Sequence, residues 1–380
     1  MKFKKLFMLI SMVFLCATTM FAATVIDQAS GKWNTTGNLS TGRFGINAIL
    51  LKDGKVLVAG GIGNSFTVLS SAEVYDPADG QWSATGSMTT ARAYYGATLL
   101  VDGRVLVTGG CTEPTCYHAT SSAEIFDPAT GAWQSTGNMS TERWNFTATL
   151  LQNGNVLAVG GCTLSPCSSP TQTTELYDPT TGGWSPSGSL PLGRSQHAAT
   201  RLHNGRVLIT GGFSYVGAQP LAELYNPATG RFTSMASMAT GRMSHTATLL
   251  RSGKVLAAAG VSGRSDFRTV NSAEVYDPIA NKWKQVKPLK SARGGHTAVL
   301  LPNGKVLVAG GITYSPGKNA LVLSSAELFG STKSKWSKAG SMKDTRDNHG
   351  MVLLPNGNVL VVGGISNGGT VLASAEIYTP

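Results

Sequence analysis

The chain has 380 residues, of which 42% are hydrophobic and 13% charged, with 46 glycines and a formal net charge of +11. So low a charged fraction beside so much glycine excludes a disordered or coiled-coil chain and fits many short strands joined by tight turns. Many of the arginines recur singly at one repeated position, and no basic run or stripe stands out, so nucleic acid is not an expected partner.

Met1 to Lys5 carries Lys2, Lys4 and Lys5, Leu6 to Ala17 is apolar, and Ala22 and Ala23 are small. This is the pattern of a secretory signal peptide over residues 1–23, cleaved after Ala22 or Ala23, with residues 24–380 as the mature domain. Its apolar run is short for a bilayer, and no later stretch resembles a membrane span. Cys16 raises the alternative of a lipid anchor, but Leu15 stands where a lipobox has a small residue. Secretion, or export to a periplasm, is the expectation. The mature chain keeps Cys111, Cys116, Cys162 and Cys167, an even number suited to an oxidising compartment.

An arginine recurs as Arg43, Arg92, Arg143, Arg194, Arg242, Arg293 and Arg346, at intervals of 48 to 53 residues. A period of roughly 50 residues reads as a propeller blade. Each copy continues with an apolar run (strand a) that ends in a turn such as Asp102-Gly103 or Asn153-Gly154. These pairs tolerate the positive φ of a type I′ turn. A second apolar run (strand b) then ends in a glycine pair such as Gly109-Gly110. In the fifth copy this pair is Ala259-Gly260, so the second glycine reads as the stricter. Strand c opens on a glutamate followed two residues later by Tyr or Phe. Strand d opens on Trp, or on Phe232 in the fourth copy.

The last copy stops at Pro380 without a strand d, while Gly31 to Leu39 is an orphan strand d before the first arginine. Pairing the two closes the ring. The expected fold is therefore all-β: a seven-bladed β-propeller of four-stranded antiparallel blades, closed by its N-terminal outermost strand. The blades are 43–88, 92–139, 143–190, 194–238, 242–289, 293–342, and 346–380 completed by 31–39.

With a double glycine, then Glu-x-Tyr-Asp, then Trp, the repeat resembles the kelch family over essentially the whole mature chain. The resemblance implies a propeller but leaves function open, because kelch propellers include protein-binding adaptors, sialic acid epimerases and copper-radical oxidases of the galactose oxidase type.

Strand geometry places each arginine and the glutamate of its blade at the same edge, with the glycine pair between them leaving space for the arginine to cross. The expected buried ion pairs are Arg43–Glu73, Arg92–Glu124, Arg143–Glu175, Arg194–Glu223, Arg242–Glu274, Arg293–Glu327 and Arg346–Glu376. They read as blade architecture and not as catalytic acids and bases. The b–c and d–a loops share the opposite edge from the uniform turns and vary in content, so binding is expected there. CTEPTC and CTLSPC lie in these loops. Local disulfides Cys111–Cys116 and Cys162–Cys167 are expected, with cross-pairing between the blades or a zinc site including His118 as competing readings.

The third residue after each arginine is Ile46, Tyr95, Phe146, His197, His245, His296 or His349, where strand a enters the channel. The histidines invite a metal reading, but no carboxylate partner is fixed by sequence; no metal or other cofactor is expected. Phe44, Tyr94, Tyr95 and Trp144 stand near the same mouth and read either as a stacking surface for sugars or side chains, or as packing between blades. Phe66, Tyr117, Tyr215, Phe267 and Tyr314 extend the candidate surface. Arg92-Ala93-Tyr94-Tyr95 is similar to the copper-binding strand of galactose oxidase relatives, except that Tyr95 replaces a histidine ligand. No cysteine is left for the tyrosine crosslink of that family.

The functional expectation is a monomeric, secreted or periplasmic propeller that recognises a protein or a surface carbohydrate through the b–c/d–a loop face. Its rival is a carbohydrate-active enzyme working at the channel mouth, of the sialic acid epimerase kind or, less consistent with the residues, a galactose oxidase-like oxidase.

Overall fold

The computed structural model describes residues 31–165, 167 and 170–380, so the signal peptide over 1–23 and Cys16 lie outside the described residues. Seven sheets of four antiparallel strands follow one another along the chain. In the second blade, strand a is Gly96–Leu99, b is Val105–Thr108, c is Ala123–Asp127 and d is Ala132–Thr136, paired in the order a-b-c-d. Strand b is buried at every position, because neighbouring blades cover both of its faces, and this is why it reads as a continuous apolar run. Strand d is the outermost, with exposed residues at Ala132, Gln134 and Ser135. Among the described residues no helix is long and apolar enough to cross a membrane.

In five of the seven blades the d-strand tryptophan fastens the blade twice; Phe232 in blade four has no indole, and the Trp82 N–H of blade one finds no partner. Trp133 lies 5.1 Å from Phe126 on its own strand c, and its indole N–H donates to the Gly86 carbonyl of the preceding blade at 2.8 Å. Trp33 does the same at the closure. Lys32–Thr35 pairs with Ala375–Thr379 in the register Trp33↔Tyr378, and the Trp33 indole donates to the Ala339 carbonyl at 2.8 Å. The N-terminal strand thus completes the last blade, and no sheet edge is left open at the seam.

The glycine pair serves a different purpose from simple clearance for the arginine. Its first residue has φ between 55° and 66°, a left-handed conformation that Ala259 also adopts, while the second lies between 90° and 109°. Few residues other than glycine reach the latter range. In all seven blades the second glycine's N–H donates to the carbonyl of the next blade's arginine at 2.8–2.9 Å. A Cβ there would strike the segment between the arginine and strand a of its own blade; on Gly110 it would meet the Ala93 carbonyl at 2.7 Å. The pair is a blade-to-blade coupling, and the arginine passes over it, donating to the carbonyl of its first residue at 2.6–3.2 Å.

Each arginine then meets its glutamate at 2.7–3.0 Å, with the guanidinium fully buried. The carboxylate also holds the d–a connection: Glu124 accepts the Thr89 and Thr90 N–H groups at 2.7 and 3.0 Å. Blade four departs from this. Pro191 stands where Thr89 stands in blade two and has no N–H to give, so Glu223 Oε2 is buried without a partner and burial pushes its carboxyl up. Such coupled buried pairs specify geometry more than they add net stability.

Candidate functional site

Strand a does not enter the channel unbroken from the arginine. The residue after the arginine pairs instead with the residue after the second glycine, as in Ala93↔Cys111, Trp144↔Cys162 and Asp347↔Ile365. The next residue is then forced into positive φ: Gly45, Tyr94, Asn145, Gln196, Ser244, Gly295 and Asn348 lie between 48° and 66°. That turn aims each N–H around the channel rather than along the blade. Tyr94 donates to the Gly45 carbonyl, Asn145 to Tyr94, Gln196 to Asn145, Ser244 to Gln196, Gly295 to Ser244 and Gly45 to Asn348, at 2.9–3.1 Å. Among the described residues this circuit of backbone bonds is interrupted at one junction, between Gly295 and Asn348.

Inside it lies a cavity of about 350 Å³, to which every blade contributes. Its rim carries Tyr94, Asn145, Gln196, Ser244 and Asn348. Deeper, Ile46, Tyr95, Phe146, His197, His245, His296 and His349 line the wall, so the structure brings these sequence candidates together. Tyr95 is buried and its hydroxyl donates to the Ala59 carbonyl; burial pushes its pKa up to about 12. Each histidine is bound through Nε2 to a threonine hydroxyl: His197 to Thr147 at 2.9 Å, His245 to Thr210 and His296 to Thr246 at 3.0 Å, and His349 to Thr297 at 2.7 Å. Burial, and then the nearby arginines, push His197 and His349 down to about 3 and His245 and His296 well below the usual range, so all four are neutral. The rings of His197, His245 and His349 pack beside the first glycine of the preceding blade's pair, as His349 does against Gly310. Among the described residues, no three His, Cys, Asp or Glu side chains converge as a metal-binding group.

The aromatic candidates separate. Phe44 packs with Ile62, Ala93 and Val371 and is 7% exposed. Tyr94 stands between it and Trp144, with ring centroids 6.5 and 6.2 Å away, and is the member of this arc that lines the cavity. Above the mouth, the b–c loops expose Phe66, Tyr117, Leu164, Tyr215, Val216 and Leu321. Phe267 instead packs at 6.0 Å from Phe213, and Tyr314 is half-buried. The cysteines form the local disulfides Cys111–Cys116 and Cys162–Cys167, so their sulfurs are unavailable to zinc, and His118 pairs with Glu113 at 2.6 Å.

Sequence reasoning passed over the rim residues Asn145, Gln196, Ser244 and Asn348, and also Asp347. A signal for the rim was present: Gly45, Gly295, Asn145 and Asn348 are residue types that tolerate positive φ, all two places after an arginine.

A copper-radical centre does not fit these residues. Tyr95, in the histidine's place, spends its hydroxyl on a backbone carbonyl, and the described cysteines are oxidised to disulfides.

The architecture defines a closed propeller of four-stranded blades with a polar-rimmed central cavity. The Kelch motif family matches residues 49–89 and 92–140. Kelch-like protein 23 of Homo sapiens is 34% identical over 83 residues, 22% of this chain and 14% of that protein. Kelch-like protein 15 of Danio rerio is 29% identical over 136 residues, covering 32% of this chain and 22% of that protein. The match thus spans a small part of the length of these curated relatives. A fungal alcohol oxidase of the AA5 family, solved in complex with copper, superposes with a TM-score of 0.74 at 19% identity, over 92% of this chain and 76% of that one. YjhT superposes with a TM-score of 0.58 at 16% identity, over 75% of this chain and 93% of the other. At these identities the structural likeness is one of fold. The chain is a seven-bladed β-propeller that carries Kelch motifs over residues 49–89 and 92–140.

Proposed function

We propose that this protein is an exported binding propeller whose b–c loop face docks a partner protein. One observation carries the reading. Of eight large apolar side chains exposed among the described residues, Phe66, Tyr117, Leu164, Tyr215, Val216 and Leu321 are on the b–c loops, against Val101 and Ile279 on the uniform turns of the opposite edge. Exposed apolar groups gathered around one mouth mark an interaction surface, and rigid blades present it without ordering cost. The test is to pan a phage-displayed peptide library on the purified mature protein. Enriched peptides should lose binding to a Phe66→Ser/Tyr215→Ser variant whose melting temperature is unchanged. If no peptide is enriched, the reading fails.

The rival reading, a carbohydrate bound or converted in the cavity, draws on Tyr94 beside the amides of Asn145 and Gln196, a set able to stack on a sugar and bond its hydroxyls. A glycan-array signal, or sugar conversion, that is lost in Tyr94→Ala would favour it over protein docking.

A further inference from the structure

Position one after the repeated arginine holds Phe44, Ala93, Trp144, Ser195, Met243, Gly294 and, in the last blade, Asp347. Asp347 is 7% exposed. Its Oδ2 accepts from the Asn348 amide at 2.8 Å, while Oδ1 has no hydrogen-bond partner. Every other buried carboxylate among the described residues belongs to an arginine pair. Arg346, the neighbour of Asp347 in sequence, is committed to Glu376 at 2.8 Å. A buried carboxylate oxygen without a donor is costly, and here the missing partner has a place to come from.

That oxygen lies beside Gly295, where any Cβ would run into it, and Gly295 and Asn348 both line the central cavity. This is also the junction at which the circuit of backbone bonds is interrupted, so among the described residues no backbone N–H donates to the carbonyl of the same glycine that Oδ1 faces, and it is a second acceptor at this place. The Tyr94 ring, packed over Gly45 about 3.1 Å from where its Cβ would be, walls the cavity nearby.

We infer that Asp347 Oδ1 and the Gly295 carbonyl receive a protonated primary amine, carried into the cavity as a lysine side chain of the docked partner. This rests on the docking reading and names the group that the mouth selects. Lysine suits the site better than arginine. With Oδ2 taken by Asn348, a guanidinium fork cannot be met in bidentate fashion, whereas an ammonium is a point charge that needs single acceptors and has an apolar stem for Tyr94 to cover.

Burial pushes the Asp347 carboxyl up to about 7. The ionisable groups that feel its charge are the Tyr94 and Tyr314 hydroxyls, raised by burial and then by the Asp347 charge, while its chain neighbour Arg346 is turned to Glu376 and Asp344. Below neutrality the carboxyl takes up a proton and loses its attraction for an ammonium, so binding weakens as pH falls.

The peptides selected by panning test this directly, together with Nα-acetyl-lysine methylamide and its norleucine counterpart as minimal probes. Enriched peptides are expected to share a lysine whose replacement by norleucine weakens binding about tenfold or more, with the same loss in Asp347→Asn. That variant keeps an acceptor for Asn348, so its fold is expected to survive. The wild type should also lose affinity between about pH 8 and about pH 5.5, and Asp347→Asn should not. Lysine-free peptides that bind Asp347→Asn as well as wild type overturn the inference and leave the docking reading standing. Failure to enrich any peptide overturns both. Binding of glucosamine but not of the lysine probe, dependent on Asp347, overturns the assignment to a partner protein.

Discussion

The arginine of each blade and the residue two places after it are close neighbours in sequence, yet the first is the same in all seven blades while the second runs through Gly45, Tyr94, Asn145, Gln196, Ser244, Gly295 and Asn348. The difference lies in what each position must satisfy. The arginine is fully buried and has to reach two carbonyls and a carboxylate, as Arg92 does with Gly109, Ser122 and Glu124 at 2.8–2.9 Å. No other side chain meets that demand. The rim residue need only hold a backbone conformation whose N–H and carbonyl continue the circuit around the channel, so its side chain is free to vary. Uniformity marks the scaffold, and variation on a fixed backbone marks the place where specificity can be set.

The largest expected effect comes from opening the ring. Removing residues through Leu39 deletes Trp33 and the buried Leu39 and unpairs the final strand c; a loss above about 5 kcal/mol in denaturant unfolding is expected from those two side chains. An unchanged transition would refute closure by the N-terminal strand. Next, Arg92→Met should cost about 3–5 kcal/mol by stranding Glu124, whereas Gln196→Gly on the rim should change stability by less than about 1 kcal/mol. Comparable losses for the two would erase the distinction between scaffold and rim.

Asp347 tests the same contrast by pH. Its carboxyl titrates near 7 in the fold against an ordinary 3.8, so the folded state is penalised once the group ionises. The penalty is absent below about pH 4, grows as pH rises, and is complete above about 7, reaching on the order of a few kcal/mol. Asp347→Asn should therefore gain stability over wild type across that window. A gap that stays flat with pH would show that the carboxylate is not desolvated. The histidines act in the opposite sense: with folded values pushed far below 6.5, their contribution is present above that pH and lost as pH falls, His197 and His349 down to about 3. His197→Phe, the residue found in its place at Phe146, should make the acid loss shallower in the same titration. The smallest effect is within the arginine layer itself. Glu223→Gln should be milder than Glu124→Gln by about 1 kcal/mol, because Glu223 already has an oxygen with no donor.

Much of the scaffold was legible before any coordinates. The spacing of Arg43 to Arg346, the Asp-Gly and Asn-Gly turns and the orphan strand at Trp33 fix the blades and their closure, since each is a short-range pattern with one geometric solution. The second glycine could be ranked as the stricter from Ala259 alone, but the reason, a φ near 100° facing the next blade, could not. At the mouth, Tyr94 and the four histidines were found by position. Phe44 looked the same in sequence and turned out to be packing, because what covers it, Val371, is over three hundred residues away. Asp347 gave no signal at all, being unrepeated among the blades.

By itself the sequence therefore determined the period, the seven blades, the closing strand and the arginine–glutamate partners, because these relations are set by strand register within one blade or by a pattern seen seven times. The tertiary structure alone decided the circuit of rim backbone bonds, its interruption at Gly295 and Asn348, and the lone carboxylate beside that gap. These arise where different blades meet around the axis, and contacts across the ring depend on side chains that no local pattern brings together.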